Sequence, residues 1–396
     1  MRIVLVDTTL GGDLIGGAQT FLIQLLTGLG SAHEVHLLSG DTPGGRVRNE
    51  IEASKATTHS NLWSRTDLVD SVTPNVAAWV NDLRPAVFVV SVSPDIGWTV
   101  LPLLDPRIAT VTIGHNDQET FYAPVKHYHS FLTRAIGVSE EICRKYVDQC
   151  GMPAERVEWI PYGVATRDDE PVTSESGPVK LVYVGRLENT QKRVSDVVKI
   201  VSRLAETGID FTFDIVGDGE AMPSTRSALS DEIEAGRVRL HGWVDSSRVL
   251  ETMRSSEVFI LASAYEGFCI SLTEAMANGC CPIVTDIESG NKQLVRDDVN
   301  GFVVPVGDVD GFVDRIGRLA GDRVRLGRMR KAAMETGREY SIHRMVENYE
   351  RCFERAVADA RLNARVPDPD LPLMESCRST YPLWLRRIRV RMRSLV

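Results

Sequence analysis

The sequence predicts an α/β protein with two doubly wound parallel sheets that face a central cleft. Three observations lead to this prediction. The chain has 396 residues, more than one hydrophobic core usually organises. Short apolar runs alternate with longer stretches of helical periodicity, and this alternation starts again after a polar stretch in mid-chain. The composition, with 43% hydrophobic and 25% charged residues, excludes a fibrous or disordered chain.

The first half contains six apolar runs that we predict as parallel strands. These runs are RIVLV, EVHLL, AVFVVSV, IATVTI, RAIGVS and RVEWI. Two of the intervening stretches, AQTFLIQLLTGL and SEEICRKYVDQC, have helical periodicity. Ligands of doubly wound sheets bind at the carboxyl ends of the strands, so we expect functional residues in the loops that follow them.

The second half repeats the pattern after a stretch rich in Pro, Ser, Thr, Gly and acidic residues. Its strand candidates are VKLVYVG, FTFDIVG, RVRLHG, EVFILAS, CPIVT and GFVVPV. We therefore predict one domain over residues 1–165 and a second over 179–340, joined by a linker at 166–178.

The end of the chain combines a helix with a basic tail over 361–396. We predict the helix over 341–360 and expect it to pack on the first domain through a face that carries Met345, Tyr349, Phe353 and Val357. Segment 383–396 holds five arginines and no acidic residue. As a helix it would present an apolar stripe beside these arginines, which predicts binding to an anionic membrane surface. Packing of the stripe on the protein's own body and an edge strand are the alternatives.

Charge and cysteine content restrict the class of protein. The formal charge of −9 excludes a general nucleic-acid binder, because phosphate neutralisation needs a basic face. The 7 cysteines form no CxxC pair, and the first residues run directly into a strand, which indicates reduced thiols and a cytoplasmic location. No apolar run reaches the roughly 18 residues that cross a bilayer. Membrane contact is therefore expected to be peripheral, at the inner face of the cell membrane.

The stretch EGFCISLTEAMANGCCPIVT carries two acidic residues, Glu266 and Glu274, after the strand candidate EVFILAS. A helix that begins near Ile270 would aim the backbone N–H groups of Phe268, Cys269 and Ile270 at the cleft, which suits a phosphate or sugar oxygen. Glu274 would then accept hydrogen bonds from vicinal ribose hydroxyls, and Glu266 would face the sugar. A solvated helical glutamate with an unrelated loop acid is the alternative.

The stretch VGRLENTQKR places two cations, Arg186 and Lys192, after the strand candidate LVYV. Negative charge grows on a diphosphate as its bond to a sugar breaks, and preorganised cations stabilise this charge most in the transition state. Arginine can bind two oxygens at once, whereas lysine acts as a point charge. Two unrelated surface cations at a strand end are the alternative.

These motifs resemble glycosyltransferase family 4, whose members are retaining enzymes of the GT-B fold with two Rossmann-like domains. The family pattern is Glu, Gly, Phe and a second Glu after seven residues, and this chain matches it with Glu266, Gly267, Phe268 and Glu274. Cys269 departs from the pattern, because the family often has Gly there. The resemblance covers roughly residues 1 to 360.

The resemblance implies roles for further loops. It assigns the diphosphate to Arg186 and Lys192, and it places the glycine turn before AQTFLIQLL beside the donor phosphates and the acceptor. His115, just after IATVTI, is placed near the donor sugar and the reacting hydroxyl. A mobile glycine loop and a structural histidine are the alternatives. The predicted donor-binding residues are Gly16, Gly17, Arg186, Lys192, Gly219, Trp243, Val244, Glu266, Gly267, Phe268, Cys269, Ile270 and Glu274, and the predicted catalytic residues are His115, Glu266, Arg186 and Lys192.

The resemblance implies transfer of a sugar from a nucleoside diphosphate sugar to a hydroxyl of a glycan or lipid-linked acceptor, with retention at the anomeric carbon. No metal or cofactor is expected, since cationic side chains take the metal's place. The expected setting is cell-envelope or exopolysaccharide synthesis. A GT-B sugar epimerase or phosphorylase and a catalytically silent, membrane-associated scaffold are the alternatives. The base, which can be that of UDP, GDP or ADP, stays open, as do the sugar, the acceptor and the oligomeric state.

Overall fold

The computed structural model describes residues 1–7, 17–39, 45–63, 67–92, 95–288, 290–362, 365–368 and 371. The chain forms two compact units, of which the first contains Met1–Tyr162 and the last helix and the second contains Gly163–Ser341. No helix in the described ranges is long and apolar enough to span a membrane. Two predictions, the Gly16 contact and the membrane segment 383–396, fall outside these ranges.

The first unit is built on a seven-stranded parallel sheet. Its strands are β1 (Arg2–Val6), β2 (Glu34–Leu38), β3 (Thr57–His59), β4 (Val87–Val90), β5 (Ala109–Gly114), β6 (Arg134–Gly137) and β7 (Val157–Trp159). Its helices are α1 (Gly17–Leu29), α2 (Gly45–Ala53), α3 (Val69–Leu83), α4 (Ile96–Thr99), α5 (Glu119–Tyr128) and α6 (Glu140–Asp148). The strand order is β3-β2-β1-β4-β5-β6-β7. The winding reverses between β1 and β4, so the loops after these two strands flank the usual ligand crevice of such a sheet.

The second unit has a six-stranded parallel sheet. Its strands are β8 (Val179–Val184), β9 (Phe211–Val216), β10 (Val238–Gly242), β11 (Val258–Leu261), β12 (Cys281–Thr285) and β13 (Phe302–Val304). Its helices are α7 (Val194–Glu206), α8 (Met222–Ala228), α9 (Ser230–Glu234), α10 (Ser246–Ser255), α11 (Ile270–Ala277), α12 (Asn291–Leu294), α13 (Val309–Gly321) and α14 (Arg323–Arg338). The strand order is β10-β9-β8-β11-β12-β13, and the winding reverses between β8 and β11.

The last helix, α15 (Ile342–Leu362), packs on α1 and β5 of the first unit. Met345, Tyr349 and Phe353 are buried on its inner face, and Val357 is half-buried. The helix approaches α1 closely, because a Cβ atom at Gly28 would lie 2.3 Å from the side chain of Val346. A glycine at this position therefore allows the two helices to meet.

Two doubly wound parallel sheets confirm the predicted fold class. A strand is present at each of the twelve apolar runs predicted from the sequence. The edge strand β3 was not predicted, because its sequence, Thr-Thr-His, has neither apolar residues nor a clear alternation. Its place in the sheet comes from pairing with β2.

Candidate functional site

The loop after β8 is held in shape by the side chain of Glu188. Its carboxylate accepts hydrogen bonds from the backbone N–H groups of Thr190, Gln191 and Lys192 at 2.7 to 3.2 Å. Burial opposes the charged form, but these N–H donors hold the pKa of Glu188 below its usual value. The resulting turn fixes the backbone from which the side chain of Lys192 extends.

Lys192 forms a buried ion pair with Glu266. Lys192 Nζ lies 2.6 Å from Glu266 Oε1, and the two side chains are only 12% and 6% exposed. Glu266 also accepts hydrogen bonds from Ser263 Oγ at 2.7 Å and from Gln191 Nε2 at 3.2 Å. Burial opposes the charge on Lys192, yet the Glu266 carboxylate keeps the pKa of Lys192 above its usual value. The lysine is therefore a fixed positive charge between β8 and β11.

Gln191 connects this ion pair to Arg186. Arg186 Nη2 donates to Gln191 Oε1 at 2.7 Å, and Gln191 Nε2 donates to Glu266 and to the carbonyl oxygen of Tyr265, each at 3.2 Å. The Arg186 side chain is exposed, so its remaining N–H groups can bind an anionic oxygen. Gln191 is not among the residues predicted from the sequence. The signal that could have identified it is an amide, both donor and acceptor, next to Lys192 in the cationic loop.

Helix α11 begins at Ile270, where the sequence predicts a helix start, and it carries Glu274. The Glu274 side chain is half-buried, and among the residues that the structure describes none forms an ion pair or hydrogen bond with its carboxylate. Burial raises the pKa of Glu274 to about 7. Near neutral pH this carboxyl group can therefore accept or donate hydrogen bonds, which suits a ligand with vicinal hydroxyls.

The loop between β11 and α11 packs against the loop that precedes α12. The Gly267 carbonyl accepts the N–H of Gly290 at 3.2 Å, and a Cβ atom at Gly290 would lie 2.6 Å from the ring of Phe268. Cys269 is a buried thiol whose Sγ lies 3.4 Å from Ser271 Oγ, and burial raises its pKa. Contacts with the loop at Gly290 thus fix the conformation of this loop, and a neutral thiol lies at the start of α11.

Three of the predicted donor-binding residues, Gly219, Trp243 and Val244, lie in the loops after β9 and β10. A Cβ atom at Gly219 would lie 2.4 Å from the carbonyl oxygen of Leu187, so close packing of two loops already requires glycine there. Trp243 is 43% exposed and Val244 is half-buried. Their contact with a nucleotide stays a prediction.

A chain of hydrogen bonds occupies the corresponding place in the first unit. Ser91 Oγ donates to Asp7 Oδ2 at 3.2 Å and lies 3.0 Å from His115 Nε2, and His115 Nδ1 lies 2.7 Å from the hydroxyl of Tyr162. The His115 ring stacks on Tyr162 with 5.9 Å between centroids and packs on Phe21 at 5.2 Å. Burial lowers the pKa of His115 to about 3, so the imidazole is neutral at pH 7.

The structure thus sorts the predicted residues into two groups. Arg186, Lys192 and Glu266 meet in one hydrogen-bonded cluster of the second unit, beside the helix that carries Glu274. His115 belongs to the first unit, where Gly17 is an exposed residue that begins α1. Within the described ranges no group of three or more His, Cys, Asp or Glu side chains could hold a metal ion.

Comparison with known proteins gives two family models and several relatives. The model of glycosyl transferases group 1 matches residues 165–339, and the model of Glycosyltransferase Family 4 matches residues 15–168. The chain is 29% identical over 167 residues to the putative colanic acid biosynthesis glycosyltransferase WcaL of Escherichia coli strain K12, over 40% of this chain and 41% of that protein. It is 27% identical over 310 residues to the phosphatidyl-myo-inositol mannosyltransferase of Mycolicibacterium smegmatis, over 74% of this chain and 78% of that protein.

A similar fold is found in a solved structure, that of Anabaena HepE in complex with UDP-glucose. The TM-score is 0.71 and the sequence identity is 17%, with 90% of this chain and 100% of that chain covered. At this identity the likeness shows the fold alone. The match to WcaL spans less than half of that protein's length. The two family models, however, together match the chain from residue 15 to residue 339. The chain therefore belongs to the family 4 glycosyltransferases of the GT-B fold.

Proposed function

We propose that this protein transfers a sugar from a nucleoside diphosphate sugar to an acceptor hydroxyl and retains the configuration of the anomeric carbon. The observation that carries the proposal is the cluster of Arg186, Lys192 and Glu266 where the winding of the second sheet reverses. Membership of family 4 supports a glycosyltransferase activity. The UDP-glucose bound to HepE supports a nucleotide-sugar donor.

The two cations act on the leaving group. Lys192 is kept charged by Glu266, and exposed Arg186 can bind two oxygens at once. As the bond between the anomeric carbon and the diphosphate oxygen breaks, negative charge accumulates on the diphosphate, and both cations stabilise it without rearrangement. No metal is needed for this step in our proposal, because the side chains supply the positive charge.

Glu274 binds the ribose of the donor in this proposal. Its carboxyl group has no partner in the described part of the protein, and it lies on the helix that follows the Glu266 loop. Two vicinal hydroxyls can donate to its two oxygens, and hydrogen bonds to a charged group are worth about 1.5–3 kcal/mol each.

The acceptor proton passes to the leaving diphosphate. The acceptor oxygen bonds to the anomeric carbon on the face from which the diphosphate departs, and its proton moves to the departing phosphate oxygen. His115 is not required as a base, because both of its ring nitrogens are hydrogen-bonded within the protein. Configuration is retained, because attack and departure share one face.

The proposed setting is cell-envelope or exopolysaccharide synthesis at the inner face of the cell membrane. The named roles of WcaL and of the mycobacterial mannosyltransferase support this setting and a glycan or lipid-linked acceptor. We propose that segment 383–396 contributes peripheral membrane binding through its five arginines. Co-sedimentation with anionic vesicles tests this: the full chain should bind and a chain that ends near Asp370 should not, and equal binding by the two would refute it.

A thermal-shift panel of UDP, GDP and ADP tests the donor class first. A nucleotide at a hundred times its dissociation constant adds about 2.7 kcal/mol of apparent stability, which is easily detected. The selected nucleoside diphosphate sugars are then incubated with acceptors, and proton NMR reports the anomeric configuration of the product. No shift with any nucleotide, or an inverted linkage, would contradict the proposal. Release of nucleoside diphosphate with the new linkage separates a transferase from an epimerase, a phosphorylase and a silent scaffold.

A further inference from the structure

The hydrogen-bond chain of the first unit crosses the point where its sheet reverses winding. Asp7 follows β1 and Ser91 follows β4, the two strands at the reversal, while His115 follows β5. Tyr162 lies in the chain after β7, and its hydroxyl oxygen is 2.7 Å from His115 Nδ1. All four side chains belong to one compact unit, so their contacts do not depend on the second unit.

The buried carboxylate sets the direction of this chain. Asp7 is 1% exposed, and the Ser91 hydroxyl donates its single hydrogen to Asp7 Oδ2 at 3.2 Å. Ser91 Oγ must then accept from His115, which places the imidazole hydrogen on Nε2. Nδ1 is left with a lone pair, and the Tyr162 hydroxyl donates to it.

We propose that Tyr162 is a positioning residue that, together with Ser91 and Asp7, holds His115 as the neutral tautomer with its hydrogen on Nε2. In this tautomer no ring nitrogen is free to take a proton from an acceptor hydroxyl. His115 then orients sugar or acceptor through a fixed ring and is not the general base. The role in turnover rests on the proposed glycosyl transfer, whereas the tautomer is a property of the protein alone.

Tyr349 provides a matched control for the removal of one hydroxyl. Tyr162 and Tyr349 both pack on Phe21, with ring centroids 5.0 and 5.6 Å away. The Tyr349 hydroxyl is buried and forms no hydrogen bond within the described residues. Tyr162→Phe and Tyr349→Phe therefore remove the same atom from the same aromatic cluster, but only the first removes a donor to His115.

Nitrogen-15 NMR of the histidine side chains in the full-length chain reads out the tautomer without any substrate. In the wild type, Nε2 of His115 should carry the hydrogen and Nδ1 should have the chemical shift of a hydrogen-bonded lone pair. In Tyr162→Phe the Nδ1 signal should move to the shift of a lone pair without a donor, and in Tyr349→Phe it should not move. A hydrogen on Nδ1 in the wild type, or an unmoved signal in Tyr162→Phe, overturns the proposal.

Kinetics of the same two variants test the positioning role. Tyr162→Phe should lower the turnover number by about fivefold to tenfold, the loss expected for one hydrogen bond, with little change in the donor KM. Tyr349→Phe should match the wild type. Equal turnover in both variants overturns the role of Tyr162 even if the tautomer is as stated. If no donor is turned over by the wild type, the proposed function fails while the spectra still decide the tautomer.

Ser91 gives a second pair of variants, which serves if Tyr162→Phe does not fold. Ser91→Thr keeps a hydroxyl between Asp7 and His115, whereas Ser91→Ala removes it. The wild-type tautomer should persist in Ser91→Thr and give way to a mixture in Ser91→Ala. An unchanged tautomer in Ser91→Ala overturns the assigned direction of the chain.

Discussion

The two units share a winding pattern, but their points of reversal are built from different chemistry. In the second unit the site contains a buried ion pair, Lys192 with Glu266, next to an exposed arginine. In the first unit, neutral Ser91 and His115 side chains link Asp7 to Tyr162. The side-chain arrangement at the reversal of the second unit therefore depends on charge balance. That of the first unit depends on the direction of its hydrogen bonds.

The same contrast holds between the two glutamates of one motif. Glu266 is neutralised by Lys192 and accepts two further hydrogen bonds. Glu274 has no such partner in the described structure, and burial raises its pKa to about 7. The charge of Glu266 is thus compensated within the fold, whereas burial of Glu274 without such compensation reduces stability and leaves this carboxyl group available to a ligand. The following changes separate these roles.

Removing the charge of Lys192 should have the largest effect on stability. In Lys192→Met the Glu266 carboxylate stays buried without its cation, and breaking such a pair typically costs about 3–5 kcal/mol. We expect a large fall in the free energy of unfolding, measured by urea denaturation followed by circular dichroism. Lys199→Met is the matched control, because Lys199 is 64% exposed in its pair with Asp196 and should change stability by no more than about 0.5 kcal/mol.

A double variant tests the cause of this loss. Lys192→Met combined with Glu266→Gln removes both charges, so the unpaired buried carboxylate is absent. Much of the lost stability should return. If the double variant is as unstable as Lys192→Met, packing around the lysine stem and not charge balance explains the effect.

Glu274→Gln should stabilise the protein, and more so at higher pH. The folded carboxyl group keeps its proton up to about pH 7, whereas an unfolded one loses it near 4.5. The folded state therefore binds more protons between these pH values, and the wild type loses stability as the pH rises from 4.5 to 7. A shift of one pKa unit corresponds to about 1.36 kcal/mol for a fully buried group. Because Glu274 is half-buried, we expect Glu274→Gln to raise the free energy of unfolding by about 1–2 kcal/mol above pH 7.

Thermal unfolding of both proteins at pH 5 and pH 8 measures this effect. The midpoint of Glu274→Gln should exceed that of the wild type at pH 8, and the difference should shrink at pH 5. Calorimetry should show weaker nucleotide binding by the variant, because the amide lacks the charge that attracts ribose hydroxyls. A wild type more stable than the variant at pH 8 would mean that Glu274 has a partner in the folded protein.

Features that depend on local sequence pattern could be predicted from the sequence. Side-chain contacts that depend on the order of the strands could not. The apolar runs predicted the strands, and the motif predicted both glutamates and the start of α11. The bond between His115 and Tyr162 joins residues 47 positions apart, and that between Asp7 and Ser91 joins residues 84 apart. The second contact requires β1 and β4 to be neighbours, and the first depends on the order β5-β6-β7. Hydrophobic periodicity specifies neither.

Gln191→Ala should change the free energy of unfolding less than Lys192→Met or Glu274→Gln does. It removes the acceptor of Arg186 and one donor to Glu266, and a neutral hydrogen bond contributes about 1 kcal/mol. We expect a comparable loss in the free energy of unfolding and a severalfold loss of turnover, since Arg186 would be less well held. Gln149→Ala, at an exposed position of the first unit, is the control for both measurements.

Arg186→Ala should change stability least, because the side chain is exposed and its partner is a neutral amide. We expect a change within about 0.5 kcal/mol in the free energy of unfolding. Turnover should nevertheless fall by about 100-fold, with a smaller rise in donor KM, since the cation acts mainly on charge that develops as the diphosphate leaves.

Arg186→Lys distinguishes charge from geometry at this position. Lysine keeps the positive charge but cannot bind two oxygens in the fixed arrangement of a guanidinium group. If the turnover number of Arg186→Lys lies between those of Arg186→Ala and the wild type, part of the effect comes from the charge and part from the paired N–H donors. Near-normal turnover in Arg186→Ala would place the diphosphate elsewhere. Lys192, whose charge is balanced by Glu266, would then be a structural cation, and the difference between the two units would concern stability alone.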